Sequence, residues 1–203
     1  MPLDFTKLDH SVLEPALPSP TSLGRGRHFV QIYREDASLV NAVATFLSLG
    51  IRSGDAAIVI ARPDHICDFE AAVSSSGADL EAARDLRRWR TIDSRELLGS
   101  FMVNGMPVPS LFMESVGGLI QSTAAAKKRV HIFGEMVADL WADRRIPAAM
   151  RLEKLWNDLA STFRFELFCA YPADVFREAE LPSLTRVCAQ HSQVIPPTSE
   201  DLS

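Results

Sequence analysis

Five charged or aromatic polar side chains follow the apolar, strand-like runs of this sequence, and side chains of these types bind polar ligands or transfer protons. They are Arg34, Arg62, Asp93, Glu135 and Tyr171. If the runs are parallel strands of one sheet, their carboxyl ends share an edge, where open α/β sheets bind ligands. We therefore predict a small-molecule site at this edge, with Glu135 of VHIFGEM at its centre and Asp93 and Tyr171 as neighbours.

Structural roles compete with ligand binding for most of these residues. Asp93 precedes Glu96 by three residues, which is the spacing of a helix capping box. Arg34 lies in an acidic loop before a helix, and Arg62 precedes a proline, so both are also consistent with exposed surface side chains. Glu135 is placed to start a helix, a role that is compatible with ligand contact.

The motifs that support catalysis in α/β proteins are missing from the sequence. It contains no GxxxxGK[ST], no GxGxxG and no GxSxG, and the loop after the first strand, YREDASLVN, has neither glycine nor lysine to bind phosphate. His65 and Cys67 are two residues apart on a predicted helix, so their side chains point in different directions. We therefore predict no enzymatic activity, no cofactor and no metal site.

Composition and charge favour a cytoplasmic protein that binds neither nucleic acid nor membranes. The 203 residues carry a net charge of −5, which gives no broad positive surface for a phosphate backbone. No apolar run approaches the roughly 20 residues of a membrane span. The cysteines Cys67, Cys169 and Cys188 are odd in number and widely spaced, which is typical of a reducing compartment.

Short apolar runs alternate with helical periodicity through most of the chain, and this alternation predicts an α/β domain. Five strands are predicted, at residues 28–33, 56–61, 88–93, 129–135 and 164–171. Several are continuous apolar runs, as expected of strands covered on both faces. The predicted fold is a three-layer, mostly parallel sheet with helices on both faces, in which Gly50 and Gly77 end two helices.

The predicted organisation has three parts. Residues 1–27 are rich in proline and glycine and are predicted to form a flexible arm. Residues 28–175 form the domain, and residues 176–203 form a C-terminal helix and a loose tail.

Several segments, taken in order, resemble the MEDS family, the methanogen/methylotroph sensory domain, over about residues 28–174. The segments are HFVQIYREDASLVNAVATFLSLGIRSGDAAIVIARPDH, RRWRTIDSRELLGSFMVNGMP, RVHIFGEMVADLW, LEKLWNDLAS and FELFCAYP. The resemblance implies a degenerate RecA/KaiC-like core that has lost its phosphate-binding loop and acts as a sensory module in signal transduction. The ligands suggested for the family are small hydrocarbon derivatives.

The resemblance also selects individual positions: Gly134-Glu135, Glu153, Trp156, Asn157, Cys169, Tyr171, His28 and His65. Glu135 takes the place of a Walker B acidic residue. Glu153 and Asn157 are i, i+4 neighbours on a predicted helix, so they could face a cleft together. The alternatives are that Glu153 pairs with an arginine and that Trp156 and Cys169 belong to the core. The predicted ligand-binding residues are Glu135, Tyr171, Arg34, Arg62, Asp93, Glu153 and Asn157.

Three functions are compatible with these observations. The first is a non-enzymatic sensory domain that binds a small molecule and signals to a histidine kinase or transcription regulator in trans, as in two-component regulation, since no long effector segment follows residue 175. The second is an interaction adaptor that acts through a homodimer or a partner surface. The third is a residual nucleotide-binding or ATPase activity.

Overall fold

A computed structural model describes residues 27–123, 129–176 and 181–195 of the chain. These residues form eight strands: β1 (His28–Tyr33), β2 (Ala56–Ala61), β3 (Trp89–Asp93), β4 (Met102–Val103), β5 (Met106–Pro107), β6 (Val130–Gly134), β7 (Phe165–Pro172) and β8 (Gln193–Ile195). Six of them form one sheet in the order β3-β2-β6-β7-β1-β8, with every neighbouring pair parallel, and β4 and β5 form a separate antiparallel hairpin. The predicted three-layer α/β fold is confirmed.

Nine helices lie within the described ranges: α1 (Asp36–Arg52), α2 (Pro63–Ser75), α3 (Leu80–Asp85), α4 (Ser94–Phe101), α5 (Pro109–Phe112), α6 (Gly118–Thr123), α7 (Met136–Ala142), α8 (Ile146–Ala160) and α9 (Leu181–Gln190). A π-helical turn, Met113–Gly117, joins α5 to α6, and a 3-10 helix, Ala173–Val175, follows β7. No helix of the described ranges is both long enough and apolar enough to cross a membrane.

Side chains alternate along each strand, so the sheet has a separate hydrophobic core on each face. In β7, Phe168 and Ala170 face the core under α1, α2 and α3, while Leu167, Cys169 and Tyr171 face the core under α4 to α9. Burial on both faces explains why the central strands read as continuous apolar runs. It also places Tyr171 inside the protein and away from solvent.

The five predicted strands agree with the observed ones to within one residue at each end. The sixth strand of the sheet, β8, was not predicted because three residues are too few to show a periodic pattern. It pairs with β1, so the chain returns to the sheet after α9. Residues 1–26 and 196–203, which carry most of the predicted arm and tail, lie outside the described residues.

Gly50 has a different role from the predicted one. Helix α1 continues through Gly50 to Arg52, so Gly50 does not end it. Instead, α1 passes so close to β6 that a Cβ on Gly50 would lie 2.6 Å from His131 Cδ2. The glycine is needed for this close approach. Gly77, by contrast, follows α2 with a φ of +80°, as a helix-ending glycine should.

Gly50→Ala is expected to lower the free energy of unfolding by about 1–2 kcal/mol, because the clash with the His131 ring outweighs the better helix propensity of alanine. Gly99→Ala is the matched control, since Gly99 is also helical but has no atom within 4 Å of the added methyl group. That variant should be up to about 1 kcal/mol more stable than the wild type. Equal stability of the two variants in urea titrations would contradict the close-approach argument.

Candidate functional site

Strand β6 delivers Glu135 to the carboxyl edge of the sheet, as the sequence predicted, but the side chain is buried there. It is 4% exposed, and its Oε2 accepts a hydrogen bond of 2.8 Å from the backbone N–H of Arg62. Its Oε1 forms a short contact with His65 Nδ1. Glu135 is the first residue before α7, yet its side chain makes no capping bond to that helix and reaches the N-terminus of α2 instead. There the helix dipole favours a negative charge.

His65 is the main partner of Glu135. The hydrogen bond to Glu135 raises the pKa of His65 above its usual value, against the opposing effect of burial. On the other side of the ring, His65 Nε2 lies 3.0 Å from Arg62 Nη2 and 3.9 Å from Asp36 Oδ1. The network therefore ties α2 to the end of β6, and only Arg62 and Asp36 extend from it into solvent.

The other predicted residues do stand at the carboxyl ends of their strands, but their side chains do not join Glu135. Asp93 caps α4 by accepting hydrogen bonds from the backbone N–H groups of Arg95 and Glu96, at 2.8 and 3.1 Å. Arg34 is exposed in the loop before α1. The hydroxyl group of Tyr171 donates a hydrogen bond to Glu153 of α8. Asp93 and Tyr171 are thus engaged by other partners, whereas Glu135 bonds to α2.

A second set of polar residues is buried on the other face of the sheet, between β1, β7, α8 and the end of α9. His28, Glu153, Cys169 and His191 each place one nitrogen, oxygen or sulfur atom within 4.8 Å of the others, and we call this set the His–Glu–Cys cluster. Glu153 is completely buried. The sequence suggested an arginine partner for it, but its observed neighbours are Tyr171 and the two histidines.

The two imidazoles of the His–Glu–Cys cluster are held in one orientation by groups around it. His28 Nδ1 is 3.2 Å from Asn157 Oδ1, and His191 Nδ1 is 2.7 Å from the carbonyl oxygen of Val187. Both acceptors need a proton on Nδ1, which leaves each Nε2 as an unprotonated atom that faces Glu153. Burial, with a contribution from His191, lowers the pKa of His28 to about 3, and burial lowers that of His191 to about 4. Both rings are therefore neutral at pH 7.

A groove of about 550 Å³ lies between α1 and the strands at the β8 side of the sheet. Its apolar lining, which defines the α1 groove, consists of Phe29, Ala42, Phe46, Leu49, Phe168 and Ile195. His131 lies at one end, where Nε2 is 3.2 Å from Asp55 Oδ2. Its buried Nδ1 has no hydrogen-bond partner among the described residues, and the nearest carboxylate oxygen, on Glu166, is 4.0 Å away. The rest of the lining is polar, from Arg27, Ser38, Asn41, Thr45 and Glu166, so the groove combines an apolar wall with several polar groups.

The sequence indicated part of each arrangement. It singled out Glu135 and Arg62 at the sheet edge, and Glu153, Asn157 and Tyr171 around the cluster. The residues alone suggested His65 only as a weak metal ligand beside Cys67, and the family resemblance selected His65 by itself. In the structure His65 is buried and Cys67 is exposed on α2. The sequence did not indicate His191 as a site residue, since the four residues of the cluster come from distant parts of the chain and share no short spacing motif.

Comparison with solved structures relates this fold to the KaiC-like proteins. A KaiC-like protein from the hyperthermophilic archaeon Pyrococcus horikoshii OT3 aligns with a TM-score of 0.55 and 14% sequence identity, over 91% of this chain and 80% of the other. At that identity the similarity shows the fold alone. A search of curated protein sequences found no significant match.

A family model provides the closer assignment. The model of MEDS, the methanogen/methylotroph, DcmR sensory domain, matches residues 27–191. The matched range runs from β1 through α9 and ends at His191, so it contains both the sheet edge at Glu135 and the whole His–Glu–Cys cluster. The chain belongs to the MEDS family of sensory domains.

Proposed function

We propose that this protein is a non-enzymatic sensory domain that binds a small, mainly apolar molecule in the α1 groove and passes the signal to a partner protein. Membership of a sensory-domain family supports the general role. The observation that carries the proposed binding site is the groove itself, with its apolar wall and the unpartnered His131 Nδ1.

The size and lining of the α1 groove support a small-molecule ligand. Small-molecule sites typically have volumes of about 300–1,000 Å³, mostly apolar walls and a few polar groups that orient the ligand. The groove has a volume of about 550 Å³ and contains aromatic side chains such as Phe46 and Phe168. His131 Nε2 donates to Asp55 Oδ2, so Nδ1 of the neutral ring accepts one hydrogen bond. A short carbon chain with one hydroxyl group, which can donate to Nδ1, fits this combination.

The carboxyl edge of the sheet is a weaker candidate for the same role. Both carboxylate oxygens of Glu135 already have partners within the protein. A ligand at that edge would meet mainly the guanidinium of Arg62 and the carboxylate of Asp36. Such a site would favour a charged ligand, whereas the apolar wall of the α1 groove favours a neutral one.

The α1 groove also offers a route for the signal. Its wall includes Ile195 of β8, the strand that pairs with β1 at the edge of the sheet. A ligand that contacts both α1 and Ile195 would shift the equilibrium between docked and released β8 if it binds the two forms with different affinity. We propose that a histidine kinase or transcription regulator in trans reads this change.

An ATPase function has less support. Binding of the nucleotide phosphates in RecA-like enzymes needs backbone N–H groups and a lysine in a glycine-rich loop. The loop after β1 has neither glycine nor lysine. Glu135, which the resemblance puts in the place of the Walker B acidic residue, is paired with His65. Isothermal titration with ATP and Mg²⁺ should therefore give no binding heat at millimolar nucleotide. Saturable heat in that titration would favour the ATPase instead.

Filling the α1 groove is expected to abolish ligand binding without unfolding the protein. Thr45 is an exposed residue of α1 that lines the groove, and Thr45→Trp would place an indole ring in it. Straight-chain alcohols are suitable probes, screened by the shift in Tm. At about 100 times its Kd, a ligand stabilises the fold by about 2.7 kcal/mol. That corresponds to roughly 5–10 °C for a chain of this size.

Ser75→Trp is the matched control for Thr45→Trp. Both hydroxyls donate to the carbonyl oxygen four residues earlier on an exposed helix surface, Thr45 to Asn41 and Ser75 to Ala71. Ser75 lies on α2, outside the groove lining. The active probe should shift the Tm of Ser75→Trp as it does that of the wild type, and should lose at least about tenfold in affinity for Thr45→Trp. An unchanged shift in Thr45→Trp would place the ligand elsewhere.

A further inference from the structure

The His–Glu–Cys cluster has the donor atoms of a metal site. Its side chains offer two imidazole nitrogens, one carboxylate oxygen and one sulfur atom, a set suited to zinc, which is bound by His, Cys and acidic side chains in four-coordinate sites. Three of the residues are buried, and His191 is partly exposed as a residue but its side chain is not, so packing on several elements holds all four side chains. This rigidity distinguishes the cluster from an exposed group of acidic residues.

The distances within the cluster match a tetrahedral site. At zinc bond lengths of about 2.0–2.3 Å, tetrahedral donors stand roughly 3.3–3.8 Å apart. His28 Nε2 is 3.3 Å from Cys169 Sγ and 3.7 Å from Glu153 Oε2, and no two of the four donor atoms are more than 4.8 Å apart. The side chains therefore need little movement to share one ion.

Two atoms of the cluster point to a ligand between them. Glu153 Oε2 and His191 Nε2 are buried and have no hydrogen-bond partner among the described residues. Both side chains have no exposed surface. A buried polar atom without a partner destabilises the fold, and a charged one does so more strongly. Bonding to a cation would satisfy both atoms at once.

The residues around the cluster hydrogen-bond to its side chains, as residues that surround the ligands of zinc sites do. Metal-binding histidines usually donate their other ring N–H to a carbonyl or carboxylate oxygen, which fixes the tautomer. Here Asn157 Oδ1 serves His28 and the Val187 carbonyl serves His191. Asn157 Nδ2 donates to the backbone oxygen of Gln190 at 3.2 Å, so its Oδ1 must face His28. Tyr171 donates to Glu153 Oε1 and leaves Oε2 for the ion.

We infer that His28, Glu153, Cys169 and His191 bind one zinc ion, which joins the C-terminal segment 181–195 to the body of the domain. Zinc binds the thiolate and the carboxylate forms of these side chains. The S–H bond of Cys169 therefore breaks as the zinc–sulfur bond forms, a protonated Glu153 carboxyl loses its proton in the same way, and the protons leave to solvent. The ion would then neutralise the Glu153 carboxylate and the new thiolate in the interior. The cluster lies on the face of the sheet opposite the α1 groove, so the two sites share no residue.

Cobalt titration tests the inference, because Co²⁺ reports both geometry and sulfur ligation. The full chain is reduced, treated with a chelator and titrated with Co²⁺, and a parallel sample loaded with Zn²⁺ is measured for metal content by mass spectrometry. We expect one equivalent of metal, the intense visible bands of tetrahedral cobalt and a near-ultraviolet thiolate-to-cobalt band. Saturation without a thiolate band, or no stoichiometric binding, would overturn the inference.

Cys169→Ser should lose the thiolate-to-cobalt band, and Cys188→Ser is the matched control. Cys188 is also a buried free cysteine but is not one of the four donors, so its variant should keep both the band and the stoichiometry. Persistence of the band in Cys169→Ser, or its loss only in Cys188→Ser, would contradict the assignment. If Cys169→Ser does not fold, His191→Gln is the second variant, because His191 lies just after α9 and outside the sheet. It removes one donor, so the Co²⁺ affinity should fall at least about tenfold, and an unchanged affinity would contradict the assignment.

Asn157→Leu tests whether the hydrogen bond from His28 to Asn157 supports metal binding. It removes the acceptor for His28 Nδ1 without removing a donor of the cluster, so the metal affinity should fall by about 10–100-fold with the thiolate band retained. Amide hydrogen exchange of residues 185–195 provides a measurement that does not depend on the absorption bands of cobalt. Zinc should slow exchange in this segment in the wild type, and equal exchange rates with and without zinc would argue against the proposed link.

Discussion

Replacing Glu135 with glutamine is expected to lower the free energy of unfolding by about 3 kcal/mol at pH 6. The wild-type carboxylate is 4% exposed and contacts His65 Nδ1, and its second oxygen accepts from the Arg62 backbone N–H. Glutamine keeps an acceptor for Arg62 but removes the negative charge. The buried His65 imidazolium then loses its counterion, and loss of one partner of a buried ion pair is strongly destabilising. Urea titrations of the two proteins at one ionic strength measure the difference.

The same difference is expected to shrink to about 1 kcal/mol at pH 9, the size of one ordinary hydrogen bond. The hydrogen bond to Glu135 raises the pKa of His65, so the folded state holds this proton more tightly than the unfolded chain does. The stability from the pair is therefore complete below about pH 6.5, the ordinary pKa of histidine. It is lost as the pH rises through the folded-state pKa of His65.

The charged groups that face His65 decide how steep this pH dependence is. Glu135 and Asp64 favour the imidazolium, whereas Arg62 opposes it. Above the pKa of His65, Arg62 Nη2 can donate to the free Nε2 at 3.0 Å. Glu81→Gln is the control, because Glu81 pairs with Arg84 on an exposed helix surface and should contribute less than about 0.5 kcal/mol at either pH. Equal losses for Glu135→Gln at pH 6 and pH 9 would show that His65 is not charged in the pair.

Trp156→Ala is expected to lower the free energy of unfolding by about 3–5 kcal/mol. Trp156 is 1% exposed on α8 and packs edge-to-face with Phe112 at 5.4 Å and with Phe165 at 5.9 Å between ring centroids. Truncation would leave a cavity under the helix and remove both aromatic contacts. The core interpretation of Trp156, which the sequence left beside a binding role, predicts this loss in denaturant titrations.

Leu86→Ala serves as the control for Trp156→Ala. Leu86 is 62% exposed after α3, so its truncation should change the stability by less than about 0.5 kcal/mol. A loss of less than about 1 kcal/mol for Trp156→Ala would mean that the side chain is not an essential part of the core. Its place in the LEKLWN segment would then require a functional explanation.

The sequence predicted the sheet well because each central strand is buried on both faces. Such a strand is recognisable as an unbroken apolar run, as in AAIVIA of β2, and its bounds follow from the polar residues beside it. Helix ends were less certain. Glycine is typical of a helix end, but Gly50 lies within α1 and is needed there because the helix passes close to His131. No local sequence pattern indicates this contact.

For the candidate sites, the sequence indicated which residues are unusual but not which of them meet. It placed Glu135 at the carboxyl edge, because the end of a strand can be recognised where an apolar run of the sequence ends. It could not pair Glu135 with His65, or Tyr171 with Glu153, because these contacts depend on strand order and on the face to which each side chain points. A two-residue periodicity separates the faces of a strand without indicating which helix covers each face.

The amino-acid sequence by itself determined the α/β class, the strand positions and the lack of a phosphate-binding loop, because these depend on local composition and spacing. Only the tertiary structure decided that His28 and His191, from opposite ends of the domain, converge on Glu153 and Cys169. That convergence requires β1 to lie between β7 and β8, and requires α9 to pack beside α8. The physical reason is that burial of apolar faces fixes the order of strands and helices, and the polar atoms are brought together by that packing.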